Sequence, residues 1–360
     1  MKRPAGSLRD GYTTGSAVCA AAVAAFRRSA DPVQLLLPGG GRLSVPVKAQ
    51  SGTCATVVKD GGDDPDVTTG MDLIVEVVPY DGVADSADHE ESSAGLTLVI
   101  RGGPGIGRVT RPGLAVPVGK YAVNPVPRRM LLQNLTAAGC RGRYLVTITA
   151  PEGEERAKQT LNPTLGIVGG ISILGSSGIV HPYSNAAYAA TIALQMRSLA
   201  AAGVKRAAVT TGSRSEAAVK RDFPDLPENA VIRIGDFIHH SLVSASNNGM
   251  EEVIAACMPG KLFKYACGER NTHAHQCKLT PARLRDFGIG LPGVPLEKID
   301  TMGELAAHVT PGQFREVLAK LYPAALRQLQ EWAGKTKVTL VLYDDTGRLL
   351  TGKAAAGKNG

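Results

Sequence analysis

Four carboxylates crowd the segment Lys59-Asp-Gly-Gly-Asp-Asp-Pro-Asp66: Asp60, Asp63, Asp64 and Asp66. An EF-hand spaces its oxygens along a longer loop and closes on a Glu, and that pattern is absent. Solvated turn residues account for such a run, yet the surplus for one turn leaves room for a catalytic or cation-binding role. Arg101-Gly-Gly-Pro-Gly-Ile-Gly-Arg108 offers three alternate glycines, Gly103, Gly105 and Gly107. They let backbone N–H groups face a ligand without Cβ obstruction, and a tight turn with no ligand explains them equally well. Val-Thr-Arg-Pro-Gly follows instead of a helix, so this is no dinucleotide fingerprint. In Thr211-Gly-Ser-Arg-Ser-Glu216, Ser213 and Glu216 have capping-box spacing. Gly212 and the helix start also stand where α/β sheets bind ligands. Gly235-Asp236 takes the same place after the next strand, and its carboxylate suits ribose hydroxyls or a helix cap. Cys267, His273, His275 and Cys277 lack the paired spacings of a zinc site, so no protein-bound metal is expected. Walker A, nucleophile-elbow and His-Glu-x-x-His sequences are missing, which argues against P-loop, α/β-hydrolase and zincin chemistry.

The elements that must position these residues fall into two rhythms. In the first half an Ala-rich helix at 17–28 precedes strands at 33–37, 43–48, 73–78 and 96–100, then a helix at 128–138 and a strand at 144–149. Residues 80–95, rich in Asp, Ser, Glu and Gly, read as a mobile surface loop. In the second half strands at 207–210, 231–234 and 252–256 alternate with helices at 184–202, 213–220, 236–247 and 261–266, the signature of a parallel sheet. Thr301-Met-Gly-Glu304 opens a helical region reaching 333, and 337–343 with 348–350 read as a closing hairpin. The expected fold is therefore an N-terminal mixed β-rich α+β domain (1–155), a Rossmann-like α/β domain with a parallel sheet (156–300), and a C-terminal helix and hairpin (301–360) packing on the rest. The boundary is placed between Pro151 and Asn162.

Composition limits what such a chain does. With 360 residues, 44% apolar and 20% charged, it buries a large core without disulfides, and its six scattered cysteines read as reduced thiols. The longest uncharged stretch, 159–196, is broken by Gly and Pro, so it makes no membrane span. Lys2, Arg3 and the apolar run that follows lack a signal-peptide cleavage site. A cytoplasmic location follows as an expectation. The net charge of +8 is unevenly spread. Residues 60–100 hold eleven carboxylates and no Lys or Arg; residues 101–151 hold eight Lys or Arg and no carboxylate. Two faces attracting each other would explain this, and so would a basic glycine-rich cradle for a polyanion. With only 16 aromatic residues and no aromatic-and-basic cluster, nucleic acid is excluded and a small polyacidic ligand fits better.

Taken together, the motifs resemble the CbiD family, the cobalt-precorrin-5B (C1)-methyltransferases of the cobalamin route that inserts cobalt early. The resemblance is carried by Gly11-Tyr-Thr-Thr-Gly-Ser16, by Val58-Lys-Asp-Gly-Gly-Asp-Asp-Pro-Asp-Val67, and by Gly102-Gly-Pro-Gly-Ile-Gly107 with Val109-Thr-Arg-Pro-Gly-Leu114. Asn124-Pro-Val-Pro-Arg128, Thr160-Leu-Asn-Pro-Thr-Leu-Gly-Ile-Val-Gly-Gly-Ile-Ser-Ile-Leu-Gly175, Gly178-Ile-Val-His-Pro-Tyr-Ser184, Gly260-Lys261 and Asn271-Thr-His273 extend it in order over residues 8 to 350. Two departures stand out: Ala17 takes a place where the family often has Cys, and Ala256-Cys-Met-Pro259 replaces an apolar, glycine-containing approach.

The resemblance implies methyl transfer from S-adenosylmethionine to C1 of a cobalt-bearing, many-carboxylate tetrapyrrole, with cobalt present only inside the substrate. Arg101, Arg108, Arg111, Lys120, Arg128 and Arg129 are then the expected cations for substrate carboxylates, beside Gly103, Gly105 and Gly107 and with Thr13 and Thr14 near the ring. The expected donor site is Gly212, Ser213, Glu216 and Asp236, with Gly169 and Gly170 nearby. Asp63, Asp64 and His273 are the candidate acid–base groups. Two other classes remain: a nicotinamide-dependent reductase of the same pathway and a non-catalytic tetrapyrrole-binding protein. Oligomeric state stays open, a homodimer being the candidate.

Overall fold

Alternation in Asp72–Pro79 buries Leu73, Val75 and Val77 on one face, and this strand lies inside a six-stranded sheet. The computed structural model describes residues 8–93, 95–273 and 278–351. It divides into two units, Met1–Asn185 and Ala186–Gly360, each with its own apolar core. In the first, the sheet order is Ala49–Ser51, Cys54–Val58, Asp72–Pro79, Gly142–Thr149, Leu96–Gly102, His89–Ser93. Gly142–Thr149 runs parallel to Leu96–Gly102; every other pairing is antiparallel. Helix Thr14–Arg27 packs on strands Cys54–Val58 and Asp72–Pro79 and on helix Pro125–Ala137. Residues Thr14 to Ala25 are buried all round, which explains the run of alanines: a helix enclosed on every side has room only for small side chains.

The segment read as a loop at 80–95 carries the edge strand His89–Ser93, hydrogen-bonded to Leu96–Gly102. Its polar sequence hides the period of two because part of it faces solvent and ion pairs help to hold it: Glu90 meets Arg143 and Glu91 meets Arg128. The expected boundary also moves. Residues 156–185, assigned to the second domain in sequence, belong to the first unit. Ile167–Val168 pairs with Arg108–Val109, Gly170–Ile171 runs parallel to Gly105–Ile106, and Ile179–Val180 pairs with Gly11–Tyr12. Two-residue ladders of this kind leave no periodic trace in a sequence.

The second unit is built on a five-stranded sheet in the order Val231–Arg233, Arg206–Thr210, Glu252–Cys257, Lys337–Tyr343, Leu349–Thr351. The first four strands are parallel and the last is antiparallel. Glu252–Cys257 reads as a nearly continuous apolar run because a strand covered on both faces has no solvent side. The helical region from 301 is two helices, Met302–His308 and Pro311–Ala333, with capping boxes from Thr301 to Glu304 and from Thr310 to Gln313. The segment 301–351 does not pack on a finished domain: Lys337–Tyr343 lies inside the sheet, and Leu349–Thr351 is an edge. Among the described residues no helix is long and apolar enough to cross a membrane.

Candidate functional site

Chain order reverses between Arg206–Thr210 and Glu252–Cys257, because the strand that follows Arg206–Thr210 in sequence lies on its outer side. Crevices at the carboxyl ends of such strands are where α/β sheets receive ligands. A cavity of about 470 Å3 occupies that position. It is lined by Thr211 after the first strand, Asp236 after the second and Met258 after the third, with Gly260, Lys261 and Phe263 from helix Pro259–Ala266. Thr272 and His273 complete one wall, and Leu279, Asp300, Thr301 and Met302 the other.

At the base of the cavity Lys261 donates to Asp236 Oδ1 and also to Thr272 Oγ1 at 2.8 Å. The Thr272 hydroxyl in turn donates to Asp236 Oδ1 at 3.0 Å. Burial works against the Asp236 charge, but the Lys261 ammonium and the Thr272 hydroxyl outweigh it and hold the carboxyl below its ordinary range. Asp236 is therefore a carboxylate at neutral pH, and both side-chain hydrogen bonds it accepts among the described residues fall on Oδ1, none on Oδ2. It is not a helix cap, since the helix behind it, Ile238–Asn247, is entered through Phe237.

The other expected donor residues part company. Gly212 caps helix Ser213–Asp222, and Ser215 rather than Ser213 closes the turn, its hydroxyl accepting from the Gly212 N–H. Glu216 is spent on Arg233 and Lys220; burial opposes its charge, but those two cations prevail and keep its carboxyl below the usual range. Gly212 has an extended φ of −175° and open space where a Cβ would stand, and Gly260 also has open space there. The fold does not require glycine at either place; a ligand's close approach would. Gly169 and Gly170, expected near this sheet, lie in the first unit, where a Cβ on Gly170 would stand 2.1 Å from the Gly105 carbonyl oxygen.

In the first unit the glycine-rich segment is a packing device. Gly103 N–H donates to Ile148 O and Gly107 N–H to Ile171 O, and a Cβ on Gly105 would stand 1.8 Å from Ala150 O. Two of the three alternate glycines thus point their N–H groups into the fold. Three ion pairs join the segregated segments: Arg101 with Asp88, Arg128 with Glu91 and Arg143 with Glu90. Arg101 clasps Asp88, whose side chain is fully enclosed, through bonds of 2.6 and 3.0 Å; Arg128 pairs with Glu91. Lys120 Nζ donates to the Asp88 carbonyl, and Arg108 lies over the Tyr121 ring, 5.4 Å from its centroid. Arg101, Arg108 and Lys120 therefore do gather around Asp88 and Tyr121, but Arg101 and Arg128 have their charge met internally. Arg129 is exposed, and Arg111 lies along Gly166 with a long bond to Thr164 O.

The acidic run is a clasp as well. Asp60 holds the Arg9 guanidinium, Asp63 accepts from Arg9 N–H at 2.7 Å, Asp64 accepts from Tyr183 N–H at 2.9 Å, and Asp66 pairs with buried Lys59. Thr13 caps the enclosed helix by accepting from Ser16 N–H, and Thr14 exchanges hydrogen bonds with Leu174. Ser16 donates to Gly178 O. Three motifs far apart in sequence, 9–16, 59–66 and 174–183, are thus bound to one another. Lys261 and Thr272 went unassigned in the sequence reading, although Gly260-Lys261 and Asn271-Thr-His273 were marked as motifs. Their pairing with Asp236 spans 25 and 36 positions, a separation that spacing rules do not reach. His275 and Cys277 lie outside the described residues, among which no group of three or more metal-ligating side chains occurs.

Comparison with known proteins gives a consistent picture. The profile of the family described as CbiD matches residues 1–182. A cobalt-precorrin-5B C(1)-methyltransferase of Nitratidesulfovibrio vulgaris is 42% identical, the match covering 97% of this chain and 94% of that one. Proteins of the same name from Pelobacter propionicus (37% identical, 97% of each chain) and Geobacillus kaustophilus (43% identical, 78% of this chain and 74% of that one) agree. Among solved structures, a cobalamin biosynthesis protein (cbiD) from Archaeoglobus fulgidus is 28% identical, covering 75% of this chain and 83% of that one, with a TM-score of 0.39.

Proposed function

The chain belongs to the CbiD family, and from that premise we propose that it moves a methyl group from S-adenosylmethionine to C1 of cobalt-precorrin-5B. The products are cobalt-precorrin-6A and S-adenosylhomocysteine, in the early-cobalt, anaerobic route to cobalamin, within the cytoplasm. The observation that carries this reading is the match over 97% of the chain to a relative bearing that activity in its name.

For the donor we read the second unit as Rossmann-like and its cavity as the adenosyl site. The residues present suit that group. An ionised carboxylate with one open oxygen matches a ribose diol. Met258, Phe263, Leu279 and Met302 supply apolar walls for a purine, and about 470 Å3 lies in the range of small-molecule sites. The donor, when bound, brings a methyl on a sulfonium, an already activated leaving group. What remains for the chain is to hold, orient and exclude water. Asp236 fixes the ribose end, the apolar walls keep water from the sulfonium, and His273, which lines the same cavity, is the candidate to accept a proton. In the first unit Arg108, Arg111, Lys120 and Arg129 are the cations assigned to substrate carboxylates. Asp63, Asp64, Thr13 and Thr14 are assigned to holding the segments around them.

The decisive experiment incubates the purified chain with cobalt-precorrin-5B and methyl-13C S-adenosylmethionine. One new 13C methyl signal at C1 and an equal amount of S-adenosylhomocysteine are expected. Tetrapyrrole binding with no transfer, or binding of a nicotinamide in place of the adenosyl compounds, would overturn the assignment.

A further inference from the structure

We infer that Lys261 is a positioning residue, one that pins Asp236 through a single carboxylate oxygen so that the other, Oδ2, is left for the ligand. This rests on reading the cavity as the donor site. An ammonium has three N–H bonds to give. Lys261 gives them to Asp236 Oδ1, to Thr272 O at 3.1 Å and to Thr272 Oγ1 at 2.8 Å. Thr272 is fully buried; its hydroxyl donates to the same Oδ1, and its N–H donates to the Asp236 carbonyl. The result is a closed triangle joining the loop after Val231–Arg233, the helix Pro259–Ala266 and the loop at 271–273. Every bond to the carboxylate falls on Oδ1. A ligand hydroxyl arriving at Oδ2 meets an acceptor already oriented and charged, which is how a fixed carboxylate gains affinity over a mobile one.

Among the described residues the groups facing Asp236 are few. Lys261 and Tyr265 come from the helix, Thr272 and His273 from the loop, and Tyr188 from helix Asn185–Ala201; Lys264 and Asp300 line the same cavity. Lys261 heads the influences that favour the charged form. Without it, Asp236 would take up a proton at higher pH.

The test is calorimetric binding of S-adenosylhomocysteine to the full chain between pH 5.5 and 8. Wild type is expected to bind with little pH dependence. Lys261→Met should weaken binding roughly tenfold or more and make it fall further as pH drops. Lys261→Arg retains the charge but not the compact three-bond geometry, so its affinity should fall while its pH profile stays flat. Asp236→Asn should weaken binding at every pH, and adding Lys261→Met to it should cost little more. Thr272→Val serves as a second probe should Lys261→Met fold poorly, and is expected to weaken binding without a pH slope. If Asp236→Asn weakens binding and Lys261→Met does not, or if Lys261→Met acts equally at every pH, the positioning role is overturned and the donor site survives. If Asp236→Asn has no effect, the donor-site reading falls and takes this inference with it.

Discussion

Removing the Arg101 guanidinium would leave Asp88, whose side chain is 0% exposed, without its one ion-pair partner among the described residues. Arg101→Met should therefore destabilise the chain by about 3 kcal/mol in urea unfolding, whereas Arg129→Ala, at an exposed position, should stay within about 0.5 kcal/mol of wild type. Equal stability of the two variants would sink the claim that the Arg101 charge is spent on Asp88. Lys59 and Asp66 give a second residue-scale expectation. Burial raises the Asp66 carboxyl, but Lys59 and the Thr68 donors prevail and leave it below the usual range. A depressed folded pKa contributes stability above the unfolded carboxylate value and loses it as pH falls through the folded one. Asp66→Asn should thus lower the melting temperature at pH 7 and converge with wild type near pH 2; a constant gap between them would contradict this.

At the scale of elements, the glycines separate two causes. Gly105 has φ +77° and a Cβ there would collide with Ala150 O, while Gly169 has φ +82° and nothing within 4 Å. Gly169→Ala should cost only the left-handed backbone term, about 1 kcal/mol. Gly105→Ala adds displacement of a buried backbone and should cost several kcal/mol more, read as a drop in denaturation midpoint. Similar losses for the two would mean that the close backbone approach at Gly105 is not what the glycine serves. Element type was legible where composition or period marked it: the enclosed helix at its alanines, the strand at 73–78, the alternation of the second half. The edge strand His89–Ser93 was not legible, because its polar residues show no alternation, and the ion pairs that supplement its ladder are made with residues 37 and 53 positions away.

For the whole molecule, separate cores in the two units imply that ligand stabilisation is local. S-adenosylhomocysteine at a hundred times its dissociation constant stabilises the form that binds it by about 2.7 kcal/mol. Hydrogen exchange should then slow across residues 206–273 and remain unchanged in the sheet strands between 49 and 149. Protection confined to the first unit would place the adenosyl compound elsewhere.

Residue types and their order along the chain carried the family resemblance, the parallel alternation of the second half and the place of Asp236 after a strand, because each of these is written in local spacing. Which charges cancel and which remain for a ligand was decided only by folding. Arg101, Arg128, Asp63 and Asp64 looked available in sequence and are met by partners in space, while Lys261 looked incidental and turned out to hold the cavity's carboxylate. The physical reason is that a charge's availability depends on its nearest neighbours, and those neighbours stand tens of residues away along the chain.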